Sequence, residues 1–349
     1  MIFRYVILSS IKKLQYERSV TAVYYLFQGK QSIQTIQDAH SFELTHYYSL
    51  YKQLSKTTFM NEIKALEQVG YLQQTHNEND YVLTEKANDW LKDKQYLAHE
   101  WYINGMKYHK LADSYTARLF LLIQVWTNGI KKHQSYIPIV EERETKQWIK
   151  RFYHQTKANI SLYLQKLYEE LYSIFQSLNP VYVEMFILQL TSYKHIGLTT
   201  TQIAQKYQLK TVDVDLITTS VVHSVLDTIE RNIDQFPLLN ELKLGLTQTS
   251  TLTHSASKTE ALLLQGWSIE QIAMKRQLKI NTIYDHIVEI AIQYEAFPLY
   301  DYMTKEQHKE ITEAIQRAKT YTLKKLKLMV NDNISYFQIR LVLSTLNRV

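Results

Sequence analysis

The chain has 349 residues, a formal charge of +6 at pH 7 and no cysteine, which excludes disulfides, iron–sulfur clusters, thiolate zinc sites and a cysteine nucleophile. Its hydrophobic content of 45% is too high for disorder, and no apolar run reaches the roughly 18 residues of a membrane span. The seven glycines and four prolines leave few turn formers, so the composition predicts a mainly α protein of two or three domains. The charge is also local. Residues 315–349 hold Arg317, Lys319, Lys324, Lys325, Lys327, Arg340 and Arg348 against Asp332 alone, while the remaining residues balance 33 basic against 33 acidic side chains. A confined basic patch is a footprint for polyanions.

The N-terminus, 1–8, is apolar but short. Arg4 lies inside it, and Lys12 and Lys13 follow it instead of preceding it. That order makes a poor signal peptide, so a cytoplasmic protein is expected.

Catalytic chemistry is hard to find. There is no G-x-x-x-x-G-K-[ST] and no G-x-G-x-x-G to cradle phosphate. His99-Glu100 lacks the second histidine of H-E-x-x-H, and the twelve histidines show no metal spacing. Residues 141–144 (Glu-Glu-Arg-Glu) lie among alternating charges and read as a solvated helix face. The expectation is a binding protein that is not an enzyme and needs no cofactor or metal.

Taken in chain order, residues 20–28 predict a helix with Val20, Val23, Tyr24 and Phe27 inward and Gly29 at its end. A second helix starts at Ser32. A third starts at Ser55, which can cap it together with Thr58; Phe59, Ile63, Leu66 and Val69 form its apolar stripe, and Gly70 supplies a left-handed end. Residues 71–74 and 81–84 read as strands around a turn at 75–80, and 85–91 returns to helix. Helix, glycine, strand, turn, strand and Leu-Thr-Glu-Lys-Ala resemble the winged-helix family of bacterial DNA-binding domains. The stretch 41–54 is longer than that family's usual turn. The resemblance implies that the third helix docks in a major groove, with Ser55, Lys56, Thr57, Asn61 and Lys64 as its polar face. A winged helix can equally serve as a protein-interaction module.

The middle of the chain contains a repeat. Gln202-Ile203-Ala204-Gln205-Lys206-Tyr207-Gln208-Leu209-Lys210 recurs as Gln271-Ile272-Ala273-Met274-Lys275-Arg276-Gln277-Leu278-Lys279, with seven of nine positions identical. In the second copy, Ser257–Glu260 and Ser268–Gln271 read as capping boxes, Gly266 separates two helices, and Asn281 reads as the cap of a third with Ile283, Ile287 and Ile290 inward. In the first copy, Thr199 caps the middle helix, and 181–193 reads as a preceding amphipathic helix. Both copies resemble the helix-turn-helix of response-regulator and sigma-factor type, with Gln277 where that family often has glycine. Asp213 and Asp215 in the first copy would repel phosphates, so that copy is expected to be structural or partner-binding. The second copy offers Lys275, Arg276, Lys279, Asn281, Thr282, Tyr284 and His286 as DNA contacts.

The last segment repeats the pattern L-K-x-L-K, then I-S-Y-x-x-I-R-L-V-L, from Leu323 to Leu343. With the preceding helix-turn-helix, residues 257–346 resemble the helicase helix-turn-helix domain at the C-terminus of many RecQ-family helicases. The three-module layout resembles the YpbB family, which carries this domain without motor motifs. The resemblance implies association with a separately encoded RecQ-like helicase. Read from the residues themselves, the segment is a helical hairpin in which Ser335 caps the last helix and Lys324, Lys325, Lys327 and Arg340 stay outside as phosphate contacts.

The expected organisation is a winged-helix domain over 1–95, a helical linker over 96–150, a sigma-like helix-turn-helix domain over 151–245 and the helicase-type domain over 246–349. A hinge is placed at 127–150. Tyr163, Tyr168, Tyr172, Tyr182 and Tyr193 are expected to pack between helices because they track the apolar stripe. The function expected is a DNA-binding accessory of a RecQ-like helicase in repair or recombination. A winged-helix transcriptional regulator and a protein scaffold without DNA binding are the alternatives, and oligomeric state stays open.

Overall fold

A computed structural model of the chain describes residues 1–346 apart from 15, 76, 78, 134, 247–251 and 295. Arg348, counted in the basic tail, and His76 and Glu78, in the expected turn, lie outside the described residues. The fold is mainly helical. Helix α1 (Ile2–Lys13) ends in Lys12 and Lys13, which suit the negative end of the helix dipole. Helix α2 (Val20–Gln28) stops at Gly29, whose φ of 69° is left-handed. Any Cβ there would collide with Ser49. Helix α3 (Ile33–Ser41) is capped by Ser32, whose hydroxyl accepts from the Thr35 N–H at 3.3 Å. The long stretch before the next helix buries Phe42, Leu44, Tyr47, Tyr48, Leu50 and Leu54, so its extra length fills the core. Helix α4 (Lys56–Gln68) has Ser55 as its cap and buries Phe59, Ile63 and Leu66. Strands β1 (Leu72–Gln74) and β2 (Tyr81–Leu83) pair antiparallel, with Leu72 opposite Leu83, and helix α5 (Glu85–Asp93) follows. This is the element order of a winged helix.

The middle of the chain is all helix: α6 (Leu97–Glu100), α7 (Gly105–Tyr108), α8 (Ala112–Ile130), α9 (Arg143–Thr156), α10 (Ile160–Phe175), α11 (Pro180–Ile187), α12 (Thr200–Tyr207), α13 (Thr211–Arg231) and α14 (Pro237–Glu241). Six further helices follow: α15 (His254–Leu263), α16 (Ile269–Arg276), α17 (Ile280–Gln293), α18 (Lys305–Ala318), α19 (Leu323–Lys327) and α20 (Tyr336–Thr345).

Contacts group these elements into two units. One holds Met1–Val6 with Asp89–Gln248, the other Ile7–Asn88 with Thr249–Val349. The first unit is built around Tyr115, Leu119, Trp126, Phe152, Phe186 and Leu226. Helices α8 and α9 pack together, and the segment between them is tied to α8 by Gln124, which donates to the Ile137 carbonyl and accepts from the Ile139 N–H, both at 3.0 Å. Tyr163 and Tyr182 pack against the core, but Tyr168, Tyr172 and Tyr193 are 58%, 52% and 41% exposed. The spacing that suggested burial places the first two on the outer side of α10, stacked with ring centroids 5.7 Å apart.

The first helix-turn-helix copy lies in this unit. Asp213 is buried, accepting from the Phe3 N–H at 2.8 Å and pairing with the Met1 ammonium. Helix α11 ends at Ile187, earlier than the sequence suggested. In the second unit, the winged-helix segment and the second copy share one body, because α3 packs on both α17 and α20.

Candidate nucleic-acid interface

The two copies of the repeat share their caps and turn element for element. Thr199 and Ser268 each complete a capping box with the glutamine three residues on, and Gln208 and Gln277 end the helices at φ 55° and 54°. Lys210 and Lys279 each stand at the cap of the following helix. Two capping expectations shift. Asn281 lies inside α17, whose cap position is Lys279. Ser257–Glu260 lies inside α15, where Thr253 is the cap, its hydroxyl accepting from Ala256 at 3.1 Å.

Helix α17 is enclosed along its C-terminal half. Residues 286–292 are all buried, because α3, α15, α16 and α20 surround the helix. What a ligand can reach is its first turn and the turn before it. There Lys275, Lys279 and Asn281 are exposed and Thr282 is half-buried. The Lys275 ammonium sits 4.2 Å from the centroid of the Trp267 ring. Tyr284 is half-buried and stacks on Phe337 at 4.1 Å.

Three residues expected to face DNA face the protein instead. The Arg276 guanidinium donates to the Ser255 carbonyl at 2.9 Å and the Ser255 hydroxyl at 3.0 Å, and to the Thr259 hydroxyl. His286 is 7% exposed. Its Nδ1 lies 2.8 Å from the Thr259 hydroxyl and 3.3 Å from Arg276. A guanidinium can only donate, so Nδ1 is an acceptor and the ring is neutral. Burial, and then the charge of Arg276, push its pKa below the ordinary histidine value against the pull of Asp285. These groups lock α15, α16 and α17 together. Arg340, expected outside, pairs with Asp285 at 2.6 Å and donates to Gln37 Oε1 at 3.3 Å, while the Gln37 amide donates back to the Arg340 carbonyl at 3.2 Å. A polar position on an exterior-looking pattern became internal because α3 covers that side. Sequence reasoning gave Gln37, Asp285, Thr259 and Phe337 no part in these contacts. Their signal was long-range, and no local spacing carries it.

The basic tail is divided in the same way. Lys324 and Lys325 on α19 are exposed, whereas Lys327 is half-buried and donates to the carbonyls of Asn331 and Asp332 at 3.3 and 3.1 Å. Helix α19 packs on α18 and α20. On the winged-helix side, Ser55, Lys56, Thr57, Asn61 and Lys64 are all exposed. Their positions repeat at helical spacing along α4, opposite the buried Phe59, Ile63 and Leu66.

The second unit therefore presents three exposed polar surfaces: the face of α4, the start of α17 with the turn before it, and the outer side of α19. Hydroxyl, amide and ammonium groups at helix N-terminal turns can hydrogen-bond phosphates and base edges. Among the described residues no group of histidines and carboxylates is placed to hold a metal ion, and no helix is long and apolar enough to cross a membrane.

Comparison with known proteins agrees on the C-terminal part. Residues 255–343 match the family described as helix-turn-helix domain. Over 346 residues the chain is 30% identical to Protein YpbB of Bacillus subtilis (strain 168), covering 98% of this chain and 97% of that protein. No solved structure matches.

Proposed function

The chain belongs to the family of Protein YpbB, and from that premise we propose that it is a non-enzymatic DNA-binding protein that serves as accessory to a RecQ-like DNA helicase in repair or recombination. The observation that carries the DNA-binding part is the helix-turn-helix domain over 255–343, with Lys275 exposed near the end of α16, and Lys279 and Asn281 exposed and Thr282 half-buried where α17 begins. In helix-turn-helix proteins the first residues of the recognition helix reach base edges. Lys324 and Lys325 add phosphate contacts. The helicase part rests on the resemblance of residues 257–346 to the domain that ends many RecQ-family chains, in a sequence without a phosphate-cradling loop. Energy for strand separation would come from a separate motor.

Co-purification tests the helicase part directly. Tagged protein recovered from cells should bring down a RecQ-like helicase, and the pair should persist after nuclease treatment. Folded protein that never recovers the helicase would sink it. The exposed face of α4 favours a second reading, a transcriptional regulator that reads a promoter through its winged helix. Footprinting of one defined promoter sequence by this protein alone would support that reading over the first.

A further inference from the structure

Between α19 and α20 the chain exposes an apolar tip. Leu328 is 82% exposed and Met329 37%, although their neighbours Leu326, Val330 and Ile334 are buried. The turn holding them is braced. Lys327 spans the carbonyls of Asn331 and Asp332, the Asn331 side chain accepts from the Asn333 N–H at 3.1 Å, and Glu310 on α18 accepts from the Asn331 N–H at 2.6 Å. Leu328 continues the helical backbone of α19, so it lies four residues after Lys324 and three after Lys325, on their side of the helix. Both lysines are exposed.

A leucine flanked by two exposed ammonium groups on a stiff turn suits a partner that is anionic at its edge and apolar in its interior. A nucleic acid end has that chemistry, with phosphates outside and base faces within. Apolar side chains act as wedges between base steps, and unstacking a continuous duplex costs a few kcal/mol per step. That cost is least where a base is already unpaired. Resting on the DNA-binding reading above, we propose that Leu328, steered by Lys324 and Lys325, docks on the exposed base face at a junction between duplex and single strand.

The test uses the full chain and two labelled DNAs of equal length, a continuous duplex and a fork with aminopurine at the first unpaired position. The protein should prefer the fork and change the aminopurine fluorescence. Leu328→Ala should lower fork affinity by about tenfold and abolish the fluorescence change while leaving duplex affinity unchanged. Leu328→Met should keep both, and Lys324→Ala with Lys325→Ala should weaken both DNAs. Equal binding of the two DNAs, or a fork preference that survives Leu328→Ala, would overturn the wedge while leaving DNA binding standing. Failure to bind either DNA would instead overturn the DNA-binding reading. Tighter binding to anionic phosphatidylserine vesicles than to the fork, lost in Leu328→Ala, would assign the tip to a lipid surface.

Discussion

At the scale of single residues, the repeat carries a backbone cost in both copies. Gln208 and Gln277 adopt left-handed φ of 55° and 54°, a region that disfavours side chains with a Cβ by roughly 1–2 kcal/mol. Glycine at Gln277 should therefore raise stability by about 0.5–1 kcal/mol after its own entropy cost, read as a higher urea midpoint. A lower midpoint would mean that the Gln277 side chain supports the turn. Two histidines contribute to the pH response of the second unit. Burial first, and then Arg276, lowers the pKa of His286 against Asp285, and that of His46 is lowered to about 4 by burial first and then by Lys13, against Glu43. Since the unfolded chain takes up a proton near pH 6.5 and the folded one resists it, the contribution of His46 is complete above that pH and is lost as the pH falls toward about 4, and that of His286 declines in the same direction. Melting followed by circular dichroism should show a midpoint that declines over that window. His46→Gln should flatten the decline, and an unchanged slope would assign it elsewhere.

Elements bounded by short-range signals were legible in the sequence. Gly29, Ser32, Ser55 and Gly70 mark the ends of α2, α3 and α4 where expected, and the strand pair appears within a residue of its reading. Capping boxes at Thr199, Ser268 and Ser335 are formed. Each satisfies two backbone donors at once, so Ser268→Ala should cost about 1 kcal/mol, measured by denaturant unfolding. A change near zero would mean that solvent replaces the cap. The misreadings share a physical cause. Ser257 and Glu260 have the spacing of a box, but an earlier threonine, Thr253, begins the helix. Arg276, His286 and Arg340 look like surface groups in any local window. They turn inward because Thr259, Asp285 and Gln37, distant in sequence, offer them partners. Tyr168 and Tyr172 failed in the opposite sense, since the buried side of α10 is taken by Ile160, Leu167, Leu171 and Ile174.

At the scale of the molecule, the surplus of +6 seen in the sequence is narrower than its count. Lys327 and Arg340 are spent on internal contacts, which leaves Arg317, Lys319, Lys324 and Lys325 exposed among the described tail residues. The sequence located the charge but could not tell free cations from partnered ones. The grouping of residues 7–88 with the C-terminal helices was likewise invisible, because no periodicity encodes the contact of α3 with α17 and α20. DNA binding is most directly tested by the salt dependence of affinity. Fluorescence anisotropy across a series of salt concentrations should give a log–log line, and each lysine that neutralises a phosphate should contribute about one unit to its slope. Replacing Lys275, Lys279, Lys324 and Lys325 by alanine should flatten that line markedly while the protein stays folded. An affinity that ignores salt, or a slope unchanged in the folded variant, would contradict DNA binding through this surface.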